Sequence, residues 1–260
     1  MSQSRLFSKL ALVLTGCAIA FGVQANELQD IQKAGVVKIG IDITAPPYGM
    51  LDKDAKAIGF DVDSARSLAK NLGVKLDLVP VTGPTRVQFL LTKKVDLIMA
   101  SFSVTPEREK VIDFSKPYGR IPVVVYGPKE VKVEGPKDLS GKTIAVTRGT
   151  TSDMTITKST KDVSGVSIVR YQDDATTNTA AATGKQAYIV GAPSILGDIH
   201  KVNAKADIAY KYTATSFPMA VGIHKGEPEL KERVNQWVQA NLDNGNLKAI
   251  YAKYFPGVEF

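Results

Sequence analysis

Val95-Asp96-Leu97-Ile98-Met99-Ala100-Ser101-Phe102-Ser103-Val104-Thr105-Pro106-Glu107-Arg108, with Val111-Ile112-Asp113-Phe114-Ser115-Lys116-Pro117-Tyr118 close behind, is the stretch whose reading decides the fold. Val95–Ala100 is a short apolar run of the kind a buried strand needs. Thr105-Pro106-Glu107 reads as a helix start. The Thr hydroxyl can accept a free N–H of the first turn, and proline at the first helical position wastes no donor. Arg108 therefore sits a short turn beyond a strand end, where a guanidinium can grip a carboxylate with two parallel hydrogen bonds.

Outward from this block, short β-branched runs alternate with helical stretches, the pattern of a parallel α/β sheet. Val36–Ile41 and Val74–Val79 are predicted strands. Phe60–Leu72 is a predicted helix, with Phe60, Ala65, Leu68, Ala69 and Leu72 on one face and Gly73 at its stop. Arg86–Leu91 opens a short helix. Past Pro117 the pattern restarts: Val123–Tyr126, Thr143–Thr147, Val166–Tyr171 and Ala187–Val190 read as strands. Between them lie a Thr-rich helix over Thr150–Ser159 and a helix from Asp173/Asp174 through Thr183. A strand near Ala220–Ile223 and helices over Pro228–Asn241 and Asn246–Tyr254 close the chain. The expected fold is α/β with two lobes and a ligand cleft between them, the place where strand ends meet. The partition is 26–118 with 213–260 for one lobe and 119–212 for the other. Trp237 falls on the apolar face of the last long helix and is expected in the core, whereas His200 and His224 read as surface or loop residues.

Composition narrows the function. The 260 residues are 44% hydrophobic, which excludes a disordered chain. One Cys and two separated His argue against a Cys-based zinc site, a His-rich metal site and a Ser-His or Cys-His hydrolase. Residues 1–25 read as a secretory signal: Arg5 and Lys9, an apolar run Leu10–Val23, and a small-x-small end at Val23-Gln24-Ala25. Cleavage there shortens the chain from 260 to 235 residues and lowers the formal charge from +7 to +5. Leu14-Thr15-Gly16-Cys17 also resembles a lipobox, so acylation at Cys17 is the competing processing route. No basic stretch with interleaved aromatics appears, and nucleic acid is not an expected partner.

Gly59-Phe60-Asp61-Val62-Asp63, the block from Val95 to Tyr118, Thr147-Arg148-Gly149-Thr150-Thr151, and Asn244-Gly245-Asn246-Leu247 with Ile250-Tyr251 and Lys253-Tyr254-Phe255 stand in the order found in family 3 extracellular solute-binding proteins. The chain resembles that family over nearly all of 26–260, with Ser64 departing from the usual apolar residue. The resemblance implies the type II periplasmic binding protein fold. It also implies a periplasmic, monomeric receptor that delivers a polar amino acid or related carboxylate to the permease subunits of an ABC importer, with no cofactor and no metal.

The same resemblance implies the site residues. Arg108 would clamp the ligand's α-carboxylate, assisted by Ser101, Phe102 and Ser103 with their neighbouring N–H groups; read from the residues alone, Arg108 would be a helix-surface arginine paired with Glu107 or Glu109. Gly149, Thr150 and Thr151 would complete the carboxylate site from the second lobe, at a helix start whose N–H groups suit an anion. Asp42 would face the ligand's cationic end or cap a turn. Arg86 would meet a side-chain carboxylate or lie solvated on its helix. Asp174 would take the ligand ammonium, pair with Arg86, or cap its helix.

Three departures stand out. Ala192 occupies the position where the family usually places the aspartate that holds the α-ammonium. Ala45 and Gly83 fall where aromatic walls are usual. Two alternatives follow: an enzyme on the same scaffold, similar to cyclohexadienyl dehydratases, with Asp174 or Asp42 as a cleft acid, and the ligand-sensing domain of a receptor.

Overall fold

The computed structural model describes residues 26–257 and Phe260; the expected signal segment, Cys17 included, lies outside the described residues. The chain enters through α1 (Glu27–Ala34), capped by the Asn26 side chain and ended by Gly35 at φ +67°. It continues through β1 (Val36–Ile41), the small hairpin β2 (Met50–Leu51) and β3 (Ala57–Ile58), α2 (Phe60–Leu72), β4 (Lys75–Pro80), α3 (Arg86–Leu91), β5 (Leu97–Ile98), α4 (Pro106–Glu109) and β6 (Asp113–Phe114). Then come β7 (Gly119–Gly127), β8 (Thr143–Thr147), α5 (Thr151–Ser159), β9 (Ser167–Tyr171), α6 (Asp174–Ala182), β10 (Tyr188–Gly191), α7 (Ile195–Val202) and β11 (Ala209–Met219). The last elements are β12 (Gly222–Ile223), α8 (Pro228–Asp243) and α9 (Asn246–Tyr254).

The strands form two five-stranded sheets, in the orders β4-β1-β5-β12-β6 and β11-β7-β10-β8-β9. Each has a parallel centre, β4-β1-β5 and β10-β8-β9. Each also carries antiparallel strands, so the sheets are mixed rather than parallel throughout as the sequence pattern predicted. The antiparallel members border the two crossings: β7 leaves the first sheet at Gly119, and β11 returns at Met219 paired with it.

The first core is built on α2 and α8. Phe60, Leu68 and Trp237 are at most 1% exposed, and the Trp237 indole donates to Ser67 Oγ at 3.2 Å. Gly59 starts α2 with φ +134°, and a Cβ there would sit 2.2 Å from the Tyr48 carbonyl oxygen, so only glycine fits. Two smaller apolar clusters line the faces of the second sheet, around Tyr126 with Ile199 and around Val125 with Ile156.

Several local expectations change. The strand expected over Val95–Ala100 shrinks to Leu97–Ile98, because Ala100 leads into Ser101 at φ +43° and leaves the ladder. α1 and α7 are not among the predicted elements, although Ile195, Leu196, Ile199 and Val202 stand at helical spacing. His224 is buried: Nδ1 meets Glu27 Oε2 at 2.8 Å across 197 positions, and Nε2 meets the Leu90 carbonyl. Burial pushes the His224 pKa down, but the Glu27 bond and charge outweigh it and the net shift is upward. His200 is half-buried on α7 rather than in a loop.

Trp237→Ala should lower stability by about 3–5 kcal/mol, the range for truncating a large buried aromatic. Urea unfolding followed by circular dichroism checks it. A loss below about 1 kcal/mol would mean that α8 is not packed as described.

Candidate functional site

Between the sheets lies a small cavity of about 50 Å³. From the first sheet's side it is lined by Ala45, Pro46, Tyr48, Arg86 and Ser101. From the second come Thr147, Thr150–Ser152, Asp174, Asn178, Gly191, Ala192 and Ser194, with Ile121 of β7 at the crossing.

Arg86 is the cavity's cation. It opens α3, is 4% exposed, and donates from Nη1 to the Ala100 carbonyl at 2.7 Å, while its Nε has no partner among the described residues. Burial lowers its pKa, and Asp42, Asp174 and Asp61 oppose that shift. It remains a cation, because arginine starts far above neutral pH.

Asp174 is the cavity's anion. As the first residue of α6 it sits at the positive end of a helix. It accepts from Thr147 Oγ1 at 2.5 Å, and that hydroxyl lies 2.8 Å from Thr177 Oγ1. Burial, then the Asp42 charge, pushes its pKa up to about 6 against the Thr147 bond and Arg86. The cap of α6 is Asp173, whose side chain accepts from Thr176 N at 2.7 Å. Asp174 is therefore free of the capping role that competed with a ligand contact.

Other expected residues stand in different places. Asp42 is 4% exposed, off the cavity wall, and accepts from Thr44 N at 2.9 Å and Thr44 Oγ1 at 2.7 Å, the turn-capping arrangement. Arg108 is also off the wall and is buried rather than on the helix surface. It donates from Nη1 to the Ser103 carbonyl at 2.6 Å and from Nη2 across the cleft to the Gly149 carbonyl at 3.1 Å. Burial, then Arg86, drives its pKa down, with Glu107 opposing. Phe102 faces no ligand space: its ring is fully buried between the two arginines, with guanidinium carbons 5.0 and 4.6 Å from its centroid. Its ring supports the two guanidinium groups, so any contribution of Phe102 to the site is through its backbone.

The second-sheet loop lies close to these groups. Thr150 caps α5 by accepting from Asp153 N at 3.2 Å and donates to the Thr147 carbonyl at 2.7 Å. Thr151 Oγ1 lies 3.4 Å from Ser103 Oγ across the cleft. Gly149, at φ +70°, faces Gly83: a Cβ on Gly83 would sit 2.6 Å from the Arg148 carbonyl oxygen.

Two residues escaped the sequence reading. Asn178 lines the cavity one turn along α6 from Asp174, a spacing available in the sequence. Asp61 is buried behind the cavity and accepts from Ser101 N at 2.6 Å. In sequence it stands in the Gly59–Asp63 motif, with no site role assigned to it. Among the described residues no three His, Cys, Asp or Glu side chains group as a metal site.

The sequence model of bacterial extracellular solute-binding proteins, family 3, matches residues 37–257. The chain is 27% identical to the L-cystine-binding protein TcyJ of Escherichia coli K12 over 98% of this chain and 96% of that protein. It is 30% identical to the L-arginine-binding protein of Pseudomonas aeruginosa, over 84% and 87%. A solved cysteine-binding protein from Campylobacter jejuni superimposes with a TM-score of 0.82 at 28% identity, covering 89% of this chain and 94% of that one.

The Asp174 pKa, raised to about 6 from an ordinary 3.8, means that the folded chain holds this proton more tightly than the unfolded chain. Its stabilising contribution is complete below about pH 4 and is lost as pH rises through about 6. Thermal melts across pH 4–7 should show that Asp174→Asn removes part of the wild-type decline in this window. Parallel curves for the two proteins would refute it.

Proposed function

Because the chain belongs to the bacterial extracellular solute-binding proteins of family 3, we propose that it is the receptor component of an ABC importer, binding an amino acid between two closing lobes. The lobes are 26–118 with 213–260, and 119–212. Residues 1–25 direct export to the periplasm, with a lipid anchor at Cys17 as the other processing outcome. The receptor works as a monomer, and its closed form delivers the ligand to the permease subunits.

One observation carries the reading. Ala192, where the family usually holds the ligand's ammonium, shares a cavity wall with Asp174, so the missing carboxylate is supplied from α6. Asp174 takes the ammonium. Arg108 takes the α-carboxylate, exchanging its present carbonyl partners for the two oxygens of the ligand, with Ser103 and Thr151 beside it. Arg86 and Ser101 face the remainder of the ligand. With Ala45 and Gly83 in place of aromatic walls, polar contacts rather than stacking select the ligand.

The raised Asp174 pKa also suits a general acid, which is the observation favouring an enzyme of the dehydratase kind. Turnover separates the two readings: the receptor leaves prephenate and arogenate unconsumed.

A thermal-shift screen of the common amino acids with L-cystine should give a ligand-dependent rise in Tm. Calorimetry with the best hit should show binding lost in Arg108→Ala. In Asp174→Asn it should be weakened by about tenfold or more, as expected when a buried charge loses its partner. The analogue lacking the amino group should bind the two proteins equally. Unchanged affinity in Arg108→Ala would overturn the proposed site.

A further inference from the structure

Ser101 is one of three residues other than glycine, among those described, with positive φ, and it alone of the three lines the cavity. At +43° its backbone lies in the left-handed region, which is sterically unfavourable for a residue with a Cβ. Strain of this kind persists only where the surroundings impose it. The imposing group is visible. Ser101 N donates to Asp61 Oδ2 at 2.6 Å, across 40 positions of sequence. Asp61 is 1% exposed, and its own N–H is tied to the Tyr48 carbonyl at 2.9 Å, so it is fixed at the start of α2. Its second oxygen, Oδ1, has no hydrogen-bond partner among the described residues. A buried carboxylate that makes one short bond to a strained amide is costly to keep unless that bond has a task.

We infer that Asp61 is a positioning residue for ligand binding, holding Ser101 in the left-handed conformation that turns it into the cavity. The effect on affinity rests on the amino-acid receptor reading above, whereas the effect on the Ser101 backbone does not.

The groups facing Asp61 are Arg86 from α3, Asp42 beyond β1, and the buried phenols of Tyr48 and Tyr118. Burial, with Asp42 adding and the Ser101 bond and Arg86 opposing, pushes the Asp61 pKa up to about 7. The carboxylate that grips Ser101 N most strongly therefore predominates above neutral pH.

The test is ¹H–¹⁵N NMR of the full mature chain without ligand, then calorimetry with the strongest amino-acid hit. The Ser101 amide peak should lie downfield and titrate with a midpoint near pH 7. That titration should vanish in Asp61→Asn, which keeps an oxygen acceptor, and the Ser101 Cα shift should leave the left-handed range in Asp61→Ala. Affinity should fall by about tenfold in Asp61→Ala, the scale of the lost conformational bias. The loss should be under about threefold in Asp61→Asn. In the Ser101→Gly background Asp61→Ala should cost little, because glycine reaches positive φ freely. An unmoved Ser101 signal in both Asp61 variants, or equal losses in the two Ser101 backgrounds, would overturn the inference. Should Asp61→Ala not fold, the Asp61→Asn titration decides. If the wild type binds no amino acid, the receptor reading fails and the Ser101 signals still decide the role of Asp61.

Discussion

Two arginines share one phenyl ring, and the cleft is arranged around that sandwich. Phe102 separates the guanidinium groups of Arg86 and Arg108 and stacks with both. Neither cation has a carboxylate within salt-bridge distance among the described residues. Each is held instead by ring contact and carbonyl oxygens, Arg86 at Ala100 and Arg108 at Ser103 and Gly149. Cation–π contact is strongest where water is excluded, and it leaves guanidinium N–H groups available for an incoming anion. An arginine locked to a carboxylate would have to break that pair before it could bind a ligand.

The acids around the sandwich complete the balance. Asp42, Asp61 and Asp174 all act on Arg86, and burial raises the pKa of each. Burial disfavours the charged form of all three, and the cluster is less negative than its formula suggests. Asp174 brings its carboxylate from the start of α6 into the cavity that Ala192 also lines.

Much of the architecture was legible because it is local. Helix α2 has the bounds its apolar spacing and Gly73 predict, and Trp237 lies in the core. The motif block from Val95 to Tyr118 placed Arg108 at the cleft. What was hidden depends on contacts between distant positions. Glu27 reaches His224 across 197 residues, and Asp61 reaches Ser101 across 40. Phe102 entered the expected site only as part of a family block, and sequence alone does not show that its ring is buried against Arg86 and Arg108. Asp174 stayed ambiguous for a similar reason: Asp173 and Asp174 both suit a cap, and only the backbone decides which takes it.

The seam between the two sheets is closed by main chain at Gly83. The Gly83 Cα lies against the Arg148–Gly149 backbone with no room for a Cβ. Backbone rather than a ring closes this side of the cleft. Arg108 bridges the same seam, its Nη2 donating to the Gly149 carbonyl at 3.1 Å. A larger residue at position 83 would separate the loops and lengthen that bridge.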